Sequence, residues 1–322
     1  MRRTPPRAGG RVDLTLAPPS AALLAFAEEV GPDGPVTAVG GRTHWHVGGE
    51  VDRGAREVRA PAGIVAHEPE ELIVRCGAGT PVGELDAALA EHAQMCPMDP
   101  SSTDATVGGV LSVGYSGVRR LRYGPLRDLL LEARYVAANG ELVKAGAPVV
   151  KNVTGFDLCR LLVGSIGTLG LLGEVVLRCR PIPAASLWLR SRDADPWAVR
   201  KLLFSPAAIL WDGTATWVLL EGNPLDLASE RHLLGSSFEE ISGPPEMPTG
   251  GRLSVAPRKL REIGKLTIEG SFVAEIGVGT VHVRTAAPAV APDGENAVRD
   301  RLNAELKLAY DPTGRLNPGR RP

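Results

Sequence analysis

Apolar residues change their spacing repeatedly along this chain, and each change marks an element. Over residues 19–30 they recur with the period of an amphipathic helix, and Ser20 stands where a cap is needed. The run Pro35–Val39 predicts a short buried strand that ends in Gly40-Gly41. Glu71–Cys76 predicts a second strand, which turns through Gly77-Ala-Gly-Thr-Pro81 into a helix over 82–92. Two strand-like runs, 130–137 and 142–145, flank Asn139-Gly140, the dipeptide of tight hairpins. A short helix over 157–163 and a strand over 170–180 follow, and Pro181-Ile-Pro183 breaks the chain.

Beyond that break the order becomes strand (187–190), helix (195–204), strand (207–212), strand (216–221) and helix (224–234). Residues 271–284 then read as two short strands about Gly277-Val-Gly279, and a last helix spans 296–309. Strand–helix–strand–strand–helix–strand is the order of a ferredoxin-like α+β unit. The expected organisation is therefore a flexible tail (1–12), an α+β domain (13–183), a cap (184–300) and a C-terminal segment (301–322) that returns to the first domain.

Composition narrows the function classes. A net charge of −1 argues against nucleic-acid binding through a charged surface. No apolar stretch reaches the length of a transmembrane helix, and the basic N-terminus lacks an apolar core for secretion. The four cysteines, at 76, 96, 159 and 179, have no C-x-x-C spacing, so they read as buried thiols, and no iron–sulfur centre is expected within the chain. A cytoplasmic location, or one peripheral to the inner face of the membrane through partners, fits these features.

The chemistry is concentrated in glycine clusters. Thr106-Val-Gly-Gly109 and Gly114-Tyr-Ser-Gly117 follow one another closely, and Val150-Lys-Asn-Val-Thr-Gly-Phe-Asp-Leu158 leads into Gly164-Ser-Ile-Gly-Thr-Leu-Gly170. Such turns expose backbone N–H groups to anions and let a ligand approach the main chain, with Ser and Thr adding donors. The pattern Gly77-x-Gly79-x-x-x-Gly83 imitates a dinucleotide fingerprint. The second parallel strand that such a site needs would fall on Met95-Cys-Pro-Met-Asp-Pro100, which two prolines disqualify, so a tight strand–helix turn is the better reading.

These loops resemble the flavin domain of the vanillyl-alcohol-oxidase, or PCMH-type, FAD-binding flavoproteins. Within that group the chain is most similar to the E-type subunits of glycolate-oxidase-like complexes, over roughly 35–183 and again at Asp311-Pro-Thr-Gly-Arg-Leu-Asn-Pro-Gly319. The resemblance implies a two-lobed α+β FAD-binding domain with a small cap, holding non-covalent FAD. Its cofactor-binding residues would be Gly40, Gly41, Arg42, Thr43 and His44; then Pro97, Asp99, Pro100, Thr106, Gly108 and Gly109; then Ser112, Gly114, Ser116 and Gly117. Gly164, Ser165, Gly167, Thr168, Gly170, Leu171 and Asn317 would complete the site. Arg42 would add a positive charge at the diphosphate. Some relatives tether flavin through a histidine directly after a Gly-Gly pair, but here Arg42 and Thr43 intervene before His44.

No catalytic residue is assigned. Lys151, which could stabilise negative charge on a flavin, and His282 are candidates; a solvated lysine and an ordinary strand residue are the alternatives. Arg122, Arg127 and Asp128 read as fold-stabilising ion pairs, and Glu174 as structural. No metal is expected, because His232 and His282 lack the cap motif of metal-dependent relatives. The resemblance implies an oxidoreductase acting on small 2-hydroxy acids with a larger flavoprotein subunit and an iron–sulfur subunit. The rival readings are a stand-alone flavin oxidase or dehydrogenase, a non-catalytic FAD-carrying scaffold, and the fold-related enolpyruvyl-UDP-sugar reductase.

Overall fold

The computed structural model describes residues 18–100, 102–148, 157–265, 272–284 and 294–321. The expected tail (1–12) and Lys151, with most of the Val150–Leu158 motif, lie outside them.

The first helix, Ala21–Val30, forms as its spacing predicts: the Ser20 hydroxyl accepts from Leu23 N, and Leu23, Phe26 and Val30 are buried. It covers a five-stranded antiparallel sheet, whose strand order is Ile64–Glu68, Ile73–Gly77, Leu171–Arg178, Leu130–Val136, Leu142–Gly146. The Asn139-Gly140 hairpin joins the last two; Gly140 takes φ 82° and Asn139 accepts from Glu141 N. Val36–Ala38 stands apart, paired in parallel with Arg56–Val58 and bridged to Leu316 near the C-terminus. Among the described residues Gln94–Met95 pairs with Arg180–Pro181 alone, apart from the five-stranded sheet.

The C-terminal part folds round a seven-stranded antiparallel sheet. Four strands, in the order Glu239–Ile241, Ala185–Ser191, Thr216–Gly222, Ala208–Trp211, form the ferredoxin-like 4-1-3-2 arrangement. The fourth strand is thus Glu239–Ile241, a short polar run that hydrophobic patterning does not reveal. The hairpin strands Phe272–Glu275 and Thr280–Val283, with Gly251–Ser254, extend the sheet instead. Helices Pro196–Leu202 and Pro224–Leu234 contribute Val199, Leu227 and Leu234 to a core with Leu189, Ile209, Val218, Leu220 and Val281. The opposite face carries Ala208, Leu210, Trp217, Leu219 and Val273, with Val118 of the first domain packed against them.

Polar contacts fasten the two halves. Arg119 pairs with Asp99 and reaches Glu221 at 3.7 Å, and Tyr123 donates to the same carboxylate at 2.9 Å. Burial, then the charge of Glu221, pushes the Tyr123 phenol up to about 12. Arg122 donates to Ser205 O, and Asp128 pairs with Arg160. These residues do serve the fold, but not by pairing among themselves. Cys76, Cys96, Cys159 and Cys179 are all free and buried.

Candidate functional site

A cleft opens where the strand Val36–Ala38 ends. The loop after it turns at Arg42, which takes a left-handed φ of 56°. A left-handed residue at such a point can turn successive amides to one side, as in an anion-binding nest. Among the described residues the N–H groups of Gly41, Arg42 and Thr43 meet no acceptor. Gly40 and Gly41 are required sterically: a Cβ on the first would overlap the Thr106 hydroxyl, and one on the second the carbonyl of Asp104.

The opposing wall is the helix Val107–Val113. Thr-Val-Gly-Gly is therefore not an isolated turn but a helix start, with Thr106 as the N-cap accepting from Gly109 N at 3.2 Å. The two glycines have different tasks. A Cβ on Gly108 would lie 2.8 Å from that of Ala78, so its absence lets the helix dock on the end of strand Ile73–Gly77. A Cβ on Gly109 would meet only Thr106 Oγ1, at 3.0 Å, and otherwise face the open cleft.

Ile166 and Gly167, both at positive φ, form the third wall with Leu171 and Leu172. The C-terminal segment ties the walls together. Asn317 Nδ2 donates to Ile166 O, and its Oδ1 accepts from the Thr37 hydroxyl and from Ala38 N. Arg315 donates to the carbonyls of Gly34, Ala138, Val30 and Asp33. Arg320 stacks 4.2 Å from the Trp45 ring and donates to Trp45 O and Val47 O. Burial would raise the Asp311 carboxyl, but bonds from Lys307, Leu316 N and Arg315 N outweigh it and hold the group below its usual value.

The cleft, ≈100 Å³, adjoins a second recess of ≈730 Å³ that shares Arg42 and Trp45 with it and carries Glu50, Asp52 and Glu57. It brings together Gly40, Gly41, Arg42, Thr43, His44, Thr106, Gly108, Gly109, Ser112, Gly167 and Leu171. The other expected residues stand behind its walls. Gly114 ends the helix at φ 74°, where a Cβ would strike Gly164, and Gly117 makes room for Asp99. Ser116 Oγ accepts from Leu126 N, the Ser165 and Thr168 hydroxyls donate to local carbonyls, and Gly170 lies against the Tyr135 ring. Pro97 and Pro100 flank Met98 in the segment that carries Asp99 and are not among the lining residues.

Sequence patterning overlooks Trp45, Ala78, Gly79, Ile166 and Arg320, which also line the cleft, as does Leu172 beside Leu171. For Gly79 a signal existed in the glycine pattern set aside as a tight turn. It is such a turn, between Ile73–Gly77 and Val82–Ala90, and it also presents backbone to the cleft.

The lining contains no acidic side chain but does contain Arg42, His44 and Arg320. Arg42 pairs with Glu57 at 2.5 Å and stacks 4.6 Å from Trp45, so its amide rather than its guanidinium faces the nest. Burial first, then the neighbouring charges of His46 and Arg252, lowers the His44 pKa and favours the neutral ring. Unspent amides, a helix turn without methyl groups and a lining without carboxylates fit a diphosphate. The site would hold FAD through the loop 40–44, Thr106, Gly109, Ser112 and Gly167. His282 lies outside the lining, on the cap sheet, with Nε2 2.8 Å from Glu275 Oε1.

Comparison with known proteins agrees with this geometry. Residues 21–146 match the family model described as FAD binding domain. That span contains the loop 40–44 and the helix Val107–Val113, and FAD is the cofactor this similarity supports. It is 35% identical to glycolate oxidase subunit GlcE of Escherichia coli, over 65% of this chain and 61% of that protein. It is also similar to a D-lactate dehydrogenase of Archaeoglobus fulgidus (36%; 35% of this chain, 26% of that one). Glycolate oxidase subunit GlcD of Bacillus subtilis is 35% identical over 37% of this chain and 26% of its own. The chain thus spans less than two thirds of the length of each of these relatives. Among solved structures, an alkyldihydroxyacetonephosphate synthase superposes with a TM-score of 0.65 at 14% identity, covering 91% of this chain and 74% of that one. That likeness is one of fold. No helix among the described residues is long and apolar enough to cross a membrane.

Proposed function

We propose that this chain is an FAD-dependent oxidoreductase, and more narrowly the E-type, FAD-binding subunit of a glycolate-oxidase-like complex that oxidises small 2-hydroxy acids. The observation that carries the reading is the nest of unspent amides at Gly41–Thr43 facing the methyl-free turn at Gly109, across a cleft with no acidic lining. When bound, FAD supplies the hydride-accepting chemistry. The chain's own residues bind and orient it: the nest and Gly109 hold the diphosphate, Gly167 and Ser112 continue the contact, and Leu171 and Leu172 exclude water. Gly114, Ser116, Gly117, Gly164, Ser165, Thr168, Gly170 and Asn317 hold those walls in place.

Similarity to proteins named as glycolate oxidase subunits supports a multi-subunit setting. The partners in our reading are a larger flavoprotein subunit and an iron–sulfur subunit, since the four buried thiols of this chain offer no relay for electrons. Residues 13–183 would form the FAD-binding unit, 184–300 the cap and 301–322 the returning segment. The assembly would work in the cytoplasm or on the inner face of the membrane.

The test is anaerobic mixing of the FAD-loaded chain with glycolate and with D-lactate, following loss of the oxidised flavin absorbance, alone and with co-expressed neighbouring subunits. Slow bleaching alone and fast bleaching in the complex are expected. Rapid, complete bleaching by the chain alone would reject the subunit reading in favour of a self-sufficient oxidase.

A further inference from the structure

Asn139-Gly140 closes a hairpin, and the same pair carries a chemistry of its own. Asn139 alone among the asparagines of this chain is followed by glycine. With no Cβ, a glycine leaves its backbone nitrogen open to the amide carbon of the preceding side chain. Attack of Gly140 N on Asn139 Cγ forms a five-membered succinimide and expels ammonia, and water then opens the ring at either carbonyl. One water is consumed and one ammonia released, with no oxidant or reductant. The product is aspartate, on the ordinary main chain, or isoaspartate, whose main chain runs through the former side chain and is longer by one carbon.

The folded turn opposes that attack. Gly140 N–H is already donated to Ala137 O at 3.0 Å. Glu141 holds the Asn139 amide at both ends: its N–H donates to Oδ1 at 3.1 Å, and its Oε2 accepts from Nδ2 at 2.8 Å. Asn139 and Glu141 are exposed, and surface bonds of this kind open without global unfolding. The firmer restraints lie beneath the turn. Ala138, 8% exposed, gives its carbonyl to Arg315 Nη1 at 3.1 Å. A Cβ on Gly140 would stand 2.8 Å from Gly31 C and Pro32 N, so the turn rests directly on that backbone. The Arg315 guanidinium also donates to Val30, Asp33 and Gly34 carbonyls. Two residues further on, Asn317 ties Thr37 and Ala38 to Ile166 across the cleft. Hairpin turn and cleft thus share one clasp.

We propose that Asn139 is a site of spontaneous deamidation gated by Arg315. The turn reacts when Arg315 leaves Ala138 O, and once modified it loosens the segment that braces the cleft. Aspartate at 139 sets a carboxylate against Glu141 Oε2, where an amide now donates. Isoaspartate lengthens a turn that has no room against Gly31 and Pro32. FAD, by holding the walls that Asn317 joins, slows the modification, and the modified chain holds FAD less tightly; the two effects are one coupling seen from either side. The modification stands by itself, whereas its link to FAD rests on the cleft being the FAD site.

The experiment ages the full chain at neutral pH with and without saturating FAD. Peptides are then mapped by mass spectrometry, and isoaspartate is counted by enzymatic methylation with an isoaspartyl methyltransferase. We expect conversion at Asn139, slowed about fivefold or more by FAD. Arg315→Lys, which keeps the charge but loses the fork that reaches four carbonyls, should speed the reaction of the apoprotein by about fivefold or more. Val74→Ala, in a separate core cluster, lowers stability away from the clasp and should speed it far less. Equal acceleration in the two variants would mean reaction through global unfolding and overturns the gate. An Asn139 that stays intact while a synthetic peptide of residues 134–146 deamidates under the same conditions overturns the site. An isoaspartate-bearing fraction, separated by anion exchange, that binds FAD as tightly as fresh protein overturns the coupling. A chain that takes up no FAD fails the underlying reading instead; it is recognised by its lack of colour, and Arg315→Lys against Val74→Ala then decides the gate.

Discussion

Adjacent glycines with opposite duties allow a sharp test of the cleft. Gly108 is hidden: a methyl group there would lie 2.8 Å from Ala78 Cβ and 2.9 Å from Ala78 O, neither of which is the end of a flexible chain. Gly108→Ala should therefore overpack the junction of helix and strand, at a cost of about 1–3 kcal/mol. At Gly109 the new methyl meets only Thr106 Oγ1, at 3.0 Å. There the gain in helix propensity, about 1 kcal/mol, opposes the partial loss of a cap worth about as much. Gly109→Ala should melt within a few degrees of wild type, and Gly108→Ala clearly lower. Ligand affinity should show the reverse sensitivity. A branched Cβ at 109 projects into the diphosphate position, and a clash of about 1–3 kcal/mol makes FAD binding roughly 5- to 150-fold weaker. Differential scanning fluorimetry of the apoprotein and FAD titration by fluorescence quenching separate the two quantities. A Gly109→Val protein that retains stoichiometric FAD at wild-type affinity would refute the assignment of this turn to the cofactor. Equal melting losses in the two alanine variants would refute the division of labour.

Four further outcomes can be checked on the same material. Precipitating the yellow protein with acid should release the flavin into the supernatant as FAD, not FMN; release is expected because Arg42 and Thr43 separate His44 from the glycine pair, and flavin that stays with the pellet would show a covalent tether. Asn317→Ala removes the bonds to Ile166 O, the Thr37 hydroxyl and Ala38 N; it should cost about 1–3 kcal/mol in urea unfolding and weaken FAD, and a silent result would show that the C-terminal clasp does not brace the cleft. Arg42→Ala should change FAD affinity by less than about threefold, since the nest amide survives and the guanidinium already serves Glu57; a loss of a hundredfold would mean that the side chain swings to the phosphate. The Asp311 carboxyl, held low in the fold, binds its proton more readily when unfolded. Its contribution is complete above the unfolded carboxyl range and is lost as pH falls through the folded value, so Asp311→Asn should flatten the acid limb of a stability–pH profile and lower the neutral plateau.

Much of the first domain was legible because its signals are local. Ser20 caps where a hydroxyl precedes an apolar helix, Asn139-Gly140 closes a hairpin in which the glycine takes the positive φ, and Pro181-Ile-Pro183 falls where the chain leaves the first sheet for the second. The cleft was legible in part, because glycine is required both where backbone meets ligand and where backbone meets backbone, and sequence does not separate the two. The missing Cβ of Gly109 leaves space in the cleft, whereas those of Gly41, Gly114, Gly117 and Gly170 make room for Asp104, Gly164, Asp99 and Tyr135. Only the direction of a missing Cβ tells them apart.

The cap shows why the remainder was hidden. Glu239–Ile241 has one apolar residue in three and becomes a strand only because Ala185–Ser191 offers it an edge. Arg252, Glu275 and His282 are 23 and 7 residues apart along the chain and share no motif spacing. They become neighbours through two antiparallel ladders whose registers depend on the whole sheet. A polar cluster assembled across strands in this way has no local sequence signature, because each strand could carry the same residue types facing solvent. What reveals it is the charge balance of the folded face, where a carboxylate that is almost wholly buried keeps one oxygen without a partner among the described residues, beside an arginine with donors to spare.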